Sequence, residues 1–268
     1  MVYFFEILLA VSIFVALGAA WFGGKRIGKL LQGELASHPQ MGVVQGAILA
    51  LLSLLLGFCF AGAMSRFVER QDILVREANA IGTLYQRADL LDADHREQVR
   101  TVLREYGRER IILFEQGGLN DEAPIIARLE SLLTRLWRAV QEGVESRPQF
   151  STVLIPACNE VGDSLNIRNA SVDRHIPVLV LVVLIACALA SIVSIGLGVE
   201  MADKRLRGPA AVLVFLIAAT LWATIDLDFP RVGFARVSGE PLSNVARMMV
   251  SQARGTENGT DQIRAKDR

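Results

Sequence analysis

Cysteine and histidine, the side chains most often recruited for metal, redox and nucleophilic chemistry, are scarce in this 268-residue sequence. The three cysteines, Cys59, Cys158 and Cys187, show no CxxC spacing and no nearby histidine, which excludes the usual zinc and dithiol signatures. Cys59 and Cys187 fall inside apolar runs, where cysteine behaves as a small hydrophobe. His38, His95 and His175 stand singly at or near predicted helix boundaries and read as solvated or capping residues. No GxGxxG, P-loop, HExxH or GxSxG motif occurs. Asn159, Glu160 and Asp163 share a helical stretch that could suggest acid–base work, but a solvated helix face accounts for them equally well. The sequence therefore reads as that of a protein without cofactor, metal or catalytic site. An excess of charge of one sign is missing too. The 28 basic residues balance 28 acidic ones, so no global field favours nucleic acid. Lysine is confined to Lys25, Lys29, Lys204 and Lys266, every other basic residue being arginine. Sustained strand-like alternation is absent, which leaves helix as the regular element.

What the chain does have is apolar surface, 52% of residues, gathered into four runs at 3–22, 42–65, 176–199 and 209–229. Each is close to the roughly twenty residues that a helix needs to cross a bilayer core. The last three carry no charge until their ends, and the first carries only Glu6. Glu6 stands where a cleaved signal would have its positive segment, so the first run reads as a retained span. Trp21, Phe22, Trp222 and Phe229 lie near run ends, where aromatic rings favour the interface. The fold class expected is all-α and polytopic: four transmembrane helices in two pairs flanking a helical extramembrane domain. The expected boundaries are 1–65 and 176–229 for the helix pairs, 66–175 for the domain and 230–268 for a polar tail.

The central stretch holds 15 arginines and 18 acidic residues and keeps helical period throughout. The second run continues without a break towards residue 91, and Asp92 and Asp94 offer a stop and a new N-cap. A further helix ends at Gly117–Gly118, and the next starts at Asp121 with Pro124 in its first turn. In it Ile126, Leu129, Leu133, Leu136 and Val140 recur at three-four spacing, widened by Ile125, Leu132, Trp137 and Val144 into a face that must pack on something. A fourth helix, with a kink expected at Pro156, leads to the third run, and the end of the chain from Arg254 is polar enough to read as disordered.

Small residues punctuate two of the runs. Gly46, Ala50, Ser53, Gly57 and Ala61 share one face of the second, and Ala186, Ala190, Ser194 and Gly198 one face of the third. Such faces let helix backbones approach closely in lipid, either within one chain or between copies of it. Arg66, Glu69, Arg70, Asp72, Arg76 and Glu77 follow the second run directly. They form either a self-neutralising exposed face or an electrostatic ring at a pore mouth. Asp226 and Asp228, closing the fourth run, are either interfacial anchors or an ion site.

The stretch GAILALLSLLLGFCFAGAMSRFVERQDILVREANAIGTLYQRADLL (46–91) resembles the bacterial bestrophin-like membrane proteins, and TIDLDFPRVGFARVSGEPL (224–242) is similar to that family's ending. The two-and-two layout covers nearly the whole chain, and EANAIGT is its most specific stretch. More distantly, Leu56–Gly57–Phe58 followed by Arg66–Phe67 looks like the pore-helix motif of the bestrophins, which are pentameric anion channels. The resemblance implies a homo-oligomer, a pentamer by analogy, that conducts small anions across a bacterial inner membrane. Phe58 falls on an aromatic neck position, whereas Leu54 and Ala50 depart from the aromatic pattern. The acidic calcium-binding run is absent, since Asp226–Leu227–Asp228 is too sparse, so calcium gating is not implied.

The expected constriction is thus Phe58, Leu54 and Ala50 on one face, with Arg66 and Arg70 at its mouth. The alternative is a non-conducting scaffold or regulator whose helical domain binds a partner. On sidedness two readings oppose each other. Lys25, Arg26 and Lys29, with Lys204, Arg205 and Arg207, predict that both short connections face the cytoplasm. The bestrophin resemblance implies the reverse.

Overall fold

The computed structural model describes residues 2–30, 41–116, 122–172, 174–201, 204–229 and 234–266. Among them the chain is helical with no strand. The α-helices are α1 (Val2–Leu30), α2 (Met41–Arg87), α3 (Ala93–Gln116), α4 (Ala123–Ser146), α5 (Ser151–Val172), α6 (Val178–Met201), α7 (Arg207–Asp228) and α8 (Glu240–Lys266). Short 3₁₀ turns at Ala88–Leu90, Pro148–Phe150 and Lys204–Leu206 join some of them. Four helices, α1, α2, α6 and α7, contain stretches long and apolar enough to cross a membrane.

The chain divides into two compact units. One comprises residues 1–68 and 174–236, the other 69–173 and 237–268. In the first unit the four apolar helices share one cluster. Leu17 of α1, Leu52, Leu56 and Cys59 of α2, Leu184, Ala188, Ile192 and Ile195 of α6, and Val214, Ala218 and Leu221 of α7 are all buried in it. The tightest crossing joins α1 and α6. A Cβ on Gly24 would stand 2.3 Å from the Val193 carbonyl oxygen, and one on Gly196 would stand 2.5 Å from that of Trp21. These two glycines therefore let two backbones touch where lipid offers no hydrophobic drive to hold helices together. The crossing is not at the small-residue face expected for the third run: Ala186 and Ala190 are exposed, and Ser194 and Gly198 are half-buried. Gly198 does make a close approach, to the Gln45 side chain of α2.

The second unit packs part of α2 with α3, α4, α5 and α8 around a core that includes Ile81, Leu84, Tyr85, Leu103, Leu113, Leu136, Leu154 and Leu165. The apolar face of α4 is covered here: Leu129, Leu132, Leu136 and Val140 are buried, and Ile125, Trp137 and Val144 pack against them. That face is satisfied within the chain and needs no second copy. α2 runs unbroken through Gly82 to Arg87, as its sequence predicts. Asp92 accepts the backbone N–H of His95 at 3.2 Å, the cap expected for α3. The stop at Gly117–Gly118 and the cap at Asp121 lie outside the described residues. α4 begins at Ala123 with Pro124 in its first turn, and the Glu122 carboxylate before it takes a hydrogen bond from Arg168 at 2.9 Å. Pro156 sits inside the single helix α5.

The segment read from sequence as a polar tail carries α8. Leu242, Val245 and Met249, at spacings of three and four, bury one face of it in the second unit. The seat is shaped by glycine. A Cβ on Gly82 would meet Val245 at 3.3 Å, and one on Gly107 would meet the Met249 methyl at 2.9 Å. The Tyr85 hydroxyl, fully buried, donates to the Met249 carbonyl at 3.0 Å.

Candidate functional site

Within the first unit α2 has two unlike faces. Leu52, Leu56 and Cys59, at four- and three-residue steps, belong to the apolar cluster, and Ala63, a turn further on, is buried on the same face. The opposite face carries Gly46, Ala50, Ser53, Leu54, Gly57, Phe58 and Ala61, all exposed. Phe58 is 69% exposed and Leu54 57%, and nothing lies within 4 Å of where a Cβ would stand on Gly46 or Gly57. The Ser53 hydroxyl turns back to the Leu49 carbonyl at 2.8 Å, so the face offers little free hydrogen-bonding capacity.

The other exposed apolar faces differ in kind. α6 presents Leu179, Val182 and Val183, and α7 presents Val212, Phe215 and Leu216. Bulky aliphatic and aromatic groups are what a surface against acyl chains needs. The α2 surface mixes Leu51, Leu54, Phe58 and Phe60 with many more Gly, Ala and Ser residues, and small residues suit close approach by another helix, or an axis.

At the far end of this stretch of α2 the guanidinium of Arg66 folds back over Gly62 and donates from Nε to Asp228 Oδ1 at 2.9 Å. Asp228 is nearly fully buried. Its other oxygen accepts the Ile176 backbone N–H at 2.9 Å, and His175 Nδ1 lies 3.1 Å from its main-chain carbonyl. The His175 ring stacks on Phe229 with centroids 4.6 Å apart. Asp226 is equally committed: its two oxygens accept the backbone N–H groups of Phe234 and Ala235 at 2.8 and 2.9 Å. Trp222 meets Phe234 edge-on at 5.8 Å. The two carboxylates are thus structural clasps that tie the end of α7 to the segments before α6 and after α7. Among the described residues no group of acidic, His and Cys side chains could hold a metal ion.

The sequence puts Arg66 and Arg70 together as cations at an expected pore mouth. Arg66 is half-buried in an ion pair with a residue 162 positions away. Arg70 is partly buried, has interactions of its own, and belongs to the second unit. The partner the structure gives Arg66 is Asp228, across the unit. Such a long-range pair leaves no local signal beyond an arginine at the end of an apolar run.

The second unit holds a fully buried polar cluster that sequence reasoning missed. Glu77 of α2 is gripped by two nitrogens of Arg110 of α3, and the Tyr106 hydroxyl donates to the same carboxylate at 3.4 Å. All three side chains are at most 1% exposed. Burial works against the Arg110 cation, but hydrogen bonds and charge from Glu77 hold its pKa above the ordinary arginine value. Burial, reinforced by the Glu77 charge, pushes the Tyr106 phenol up, so it stays a donor. Cys158 is also held as a thiol, burial raising it to about 12, which removes it as a nucleophile.

A family model described as the Bestrophin-like domain matches residues 10–242. The chain belongs to the Bestrophin-like family. No curated protein sequence matches it. Among solved structures, a variant of a bacterial Bestrophin homolog from Klebsiella pneumoniae superposes with a TM-score of 0.73 at 12% identity, covering 90% of this chain and 98% of that one. A second variant of the Klebsiella pneumoniae homolog gives 0.68 at 14%, over 90% and 98%. A structure of that homolog phased on zinc gives 0.61 at 15%, over 93% and 97%. At these identities the likeness shows the fold. The bestrophin-like chain is therefore a membrane protein of that fold with α2 as its longest helix.

Proposed function

We propose that this bestrophin-like protein is a multi-pass protein of a bacterial inner membrane, with α1–α2 and α6–α7 as helix pairs on either side of an extramembrane helical domain, and that several copies assemble around an axis lined by α2. Ala50, Leu54 and Phe58 then form an apolar constriction through which small anions pass. A ring of this kind blocks ions by dewetting and needs no titratable gate. The observation that carries the reading is the outward face of α2. Between Gly46 and Ala61 it exposes Gly46, Ala47, Ala50, Ser53, Gly57 and Ala61 beside Leu51, Leu54, Phe58 and Phe60, a larger share of small residues than the exposed faces of α6 and α7 carry. Five copies, and anions rather than cations, come from the family resemblance.

Arg66 and Arg70 stand at the mouth in this reading, and Arg66 is held there through Asp228. The charges of Lys25, Arg26 and Lys29 and of Lys204, Arg205 and Arg207 support a cytoplasmic side for the two short connections, against the family analogy. Purified protein reconstituted in planar bilayers tests the reading. Phe58→Ala should raise anion conductance several-fold, and Arg70→Gln should weaken anion preference without abolishing current. If the wild type and both variants are assembled yet electrically silent, the channel reading fails and a non-conducting membrane scaffold replaces it.

A further inference from the structure

We propose that the basic end of the first unit, built from α1 and the turn before α7, is a seat for anionic phospholipid headgroups. α1 does not stop with its apolar run but continues for two more turns to Leu30. Those turns carry Lys25, Arg26 and Lys29 and no acidic residue. The α1–α6 crossing sets this segment beside the end of α6: the Lys25 backbone nitrogen lies 3.1 Å from where a Gly196 Cβ would stand. Met201, where α6 ends, is only five residues further on, about 7.5 Å of helix. The turn Lys204–Leu206 packs against α6, and it and the start of α7 add Arg205 and Arg207 to the chain that follows the end of α6.

Two observations point to a lipid surface rather than to water. Lys25 lies over the rings of Trp21 and Phe22, its Nζ 5.2 and 5.7 Å from their centroids, so an aromatic pair and a cation form one amphipathic group. Phe22, Ile27, Leu30 and Leu206 are all exposed among these cations, Leu30 at 85%. Apolar side chains interleaved with Arg and Lys beyond a membrane run match the boundary between acyl chains and phosphates, where each cation gains from an anionic headgroup. The bland account is that cations at the C-terminal end of α1 merely offset its dipole. That account does not require the exposed apolar groups and gives no lipid preference. The proposal stands whether or not the protein conducts.

Native mass spectrometry of the full chain in mild detergent is the test, with phosphatidylglycerol and phosphatidylcholine of matched acyl chains as probes. Retention of phosphatidylglycerol should exceed that of phosphatidylcholine by about tenfold or more. K25Q/R26Q/K29Q should erase the preference, and K25R/K29R should keep it. Inorganic phosphate at millimolar concentration should not compete. Equal retention of the two lipids overturns the proposal, as does a preference that survives the triple variant. Displacement by inorganic phosphate assigns the site to a free anion and overturns the lipid as its occupant. Should the triple variant not assemble, a salt titration of the wild type decides, because a preference unchanged by salt is not electrostatic.

Discussion

Arg110→Met would strip the buried Glu77 carboxylate of its partner while preserving side-chain volume. In the intact protein Glu77 receives two Arg110 nitrogens and the Tyr106 hydroxyl inside a core from which water is excluded. Removing one member of a buried ion pair leaves an uncompensated charge and typically costs about 3–5 kcal/mol. In a unit of this size each kcal/mol moves the melting temperature by roughly 3–5 °C, so the expected fall is on the order of 10–20 °C.

The same logic makes a second variant less harmful than the first. Glu77→Leu/Tyr106→Phe/Arg110→Met replaces every member by an apolar group, leaves nothing buried and unpaired, and should recover to within about 2 kcal/mol of the wild type. Trp137, packed against this core, is the fluorescence reporter, because Trp21 and Trp222 both lie in the other unit. Thermal unfolding of the full chain in one detergent supplies the comparison. If Arg110→Met melts within 3 °C of the wild type, or if the triple variant is no better than the single, the cluster does not hold α2 to α3 as argued.

Three further outcomes follow from other contacts. Gly24→Val or Gly196→Val should disrupt the first unit, because each puts a branched Cβ within 2.5 Å of a carbonyl oxygen on the facing helix; size-exclusion chromatography and protease sensitivity in detergent should report it, while Gly57→Val, facing open space, should leave the monomer intact. The Asp92 carboxyl sits at about 2, below its ordinary 3.8, through the His95 backbone N–H, then the His95 ring, then Ser146. A depressed carboxyl stabilises fully above its unfolded value, and that contribution is lost as pH falls from about 4 to about 2; Asp92→Asn should remove this part of the acid dependence in a pH-resolved melt. Tyr85→Phe leaves the Met249 carbonyl without its buried donor and should loosen α8 by about 1–2 kcal/mol, seen as faster amide exchange over residues 240–250 with α4 unchanged.

Which features were readable from the sequence depends on the distance over which their causes act. The membrane-spanning stretches were legible because some twenty consecutive apolar residues leave few other solutions. The unbroken α2, the cap at Asp92 and the apolar face of α4 are local as well, set by neighbours within one or two turns. What that face packs on was not legible, and it turned out to be the chain's own core rather than another copy. Pairings such as Arg66 with Asp228 or Glu77 with Arg110 join different helices at separations of 162 and 33 residues, and composition alone cannot choose among 24 arginines for a given acid. The α1–α6 contact was missed for a similar reason. Gly24 reads as part of a loop until the helix is seen to run on to Leu30.

The stretch EANAIGT shows how a short string can be specific to a family without being a catalytic motif. Glu77 takes the buried ion pair, and Ala78, Ala80 and Ile81 are buried in the core, the two alanines keeping α2 slim enough for its neighbours to pack close. Gly82 clears the space into which Val245 of α8 fits. Three residues later, Tyr85 fastens the α8 backbone by its hydroxyl and carries the Arg100 guanidinium over its ring at 4.5 Å. Within about two and a half turns of one helix, therefore, a charge that must be paired, small side chains, a missing Cβ and a hydroxyl donor each answer to a different partner element. Loosening any one of them costs a separate interaction, so the string is constrained at nearly every position for packing alone. The same density of constraint is missing along the outward face of α2 from Gly46 to Ala61, where nothing in the chain touches the glycines. A face whose glycines meet nothing in the chain is where an intermolecular partner has to be sought, and Phe58 on that face, rather than the buried Glu77, is therefore the candidate for function.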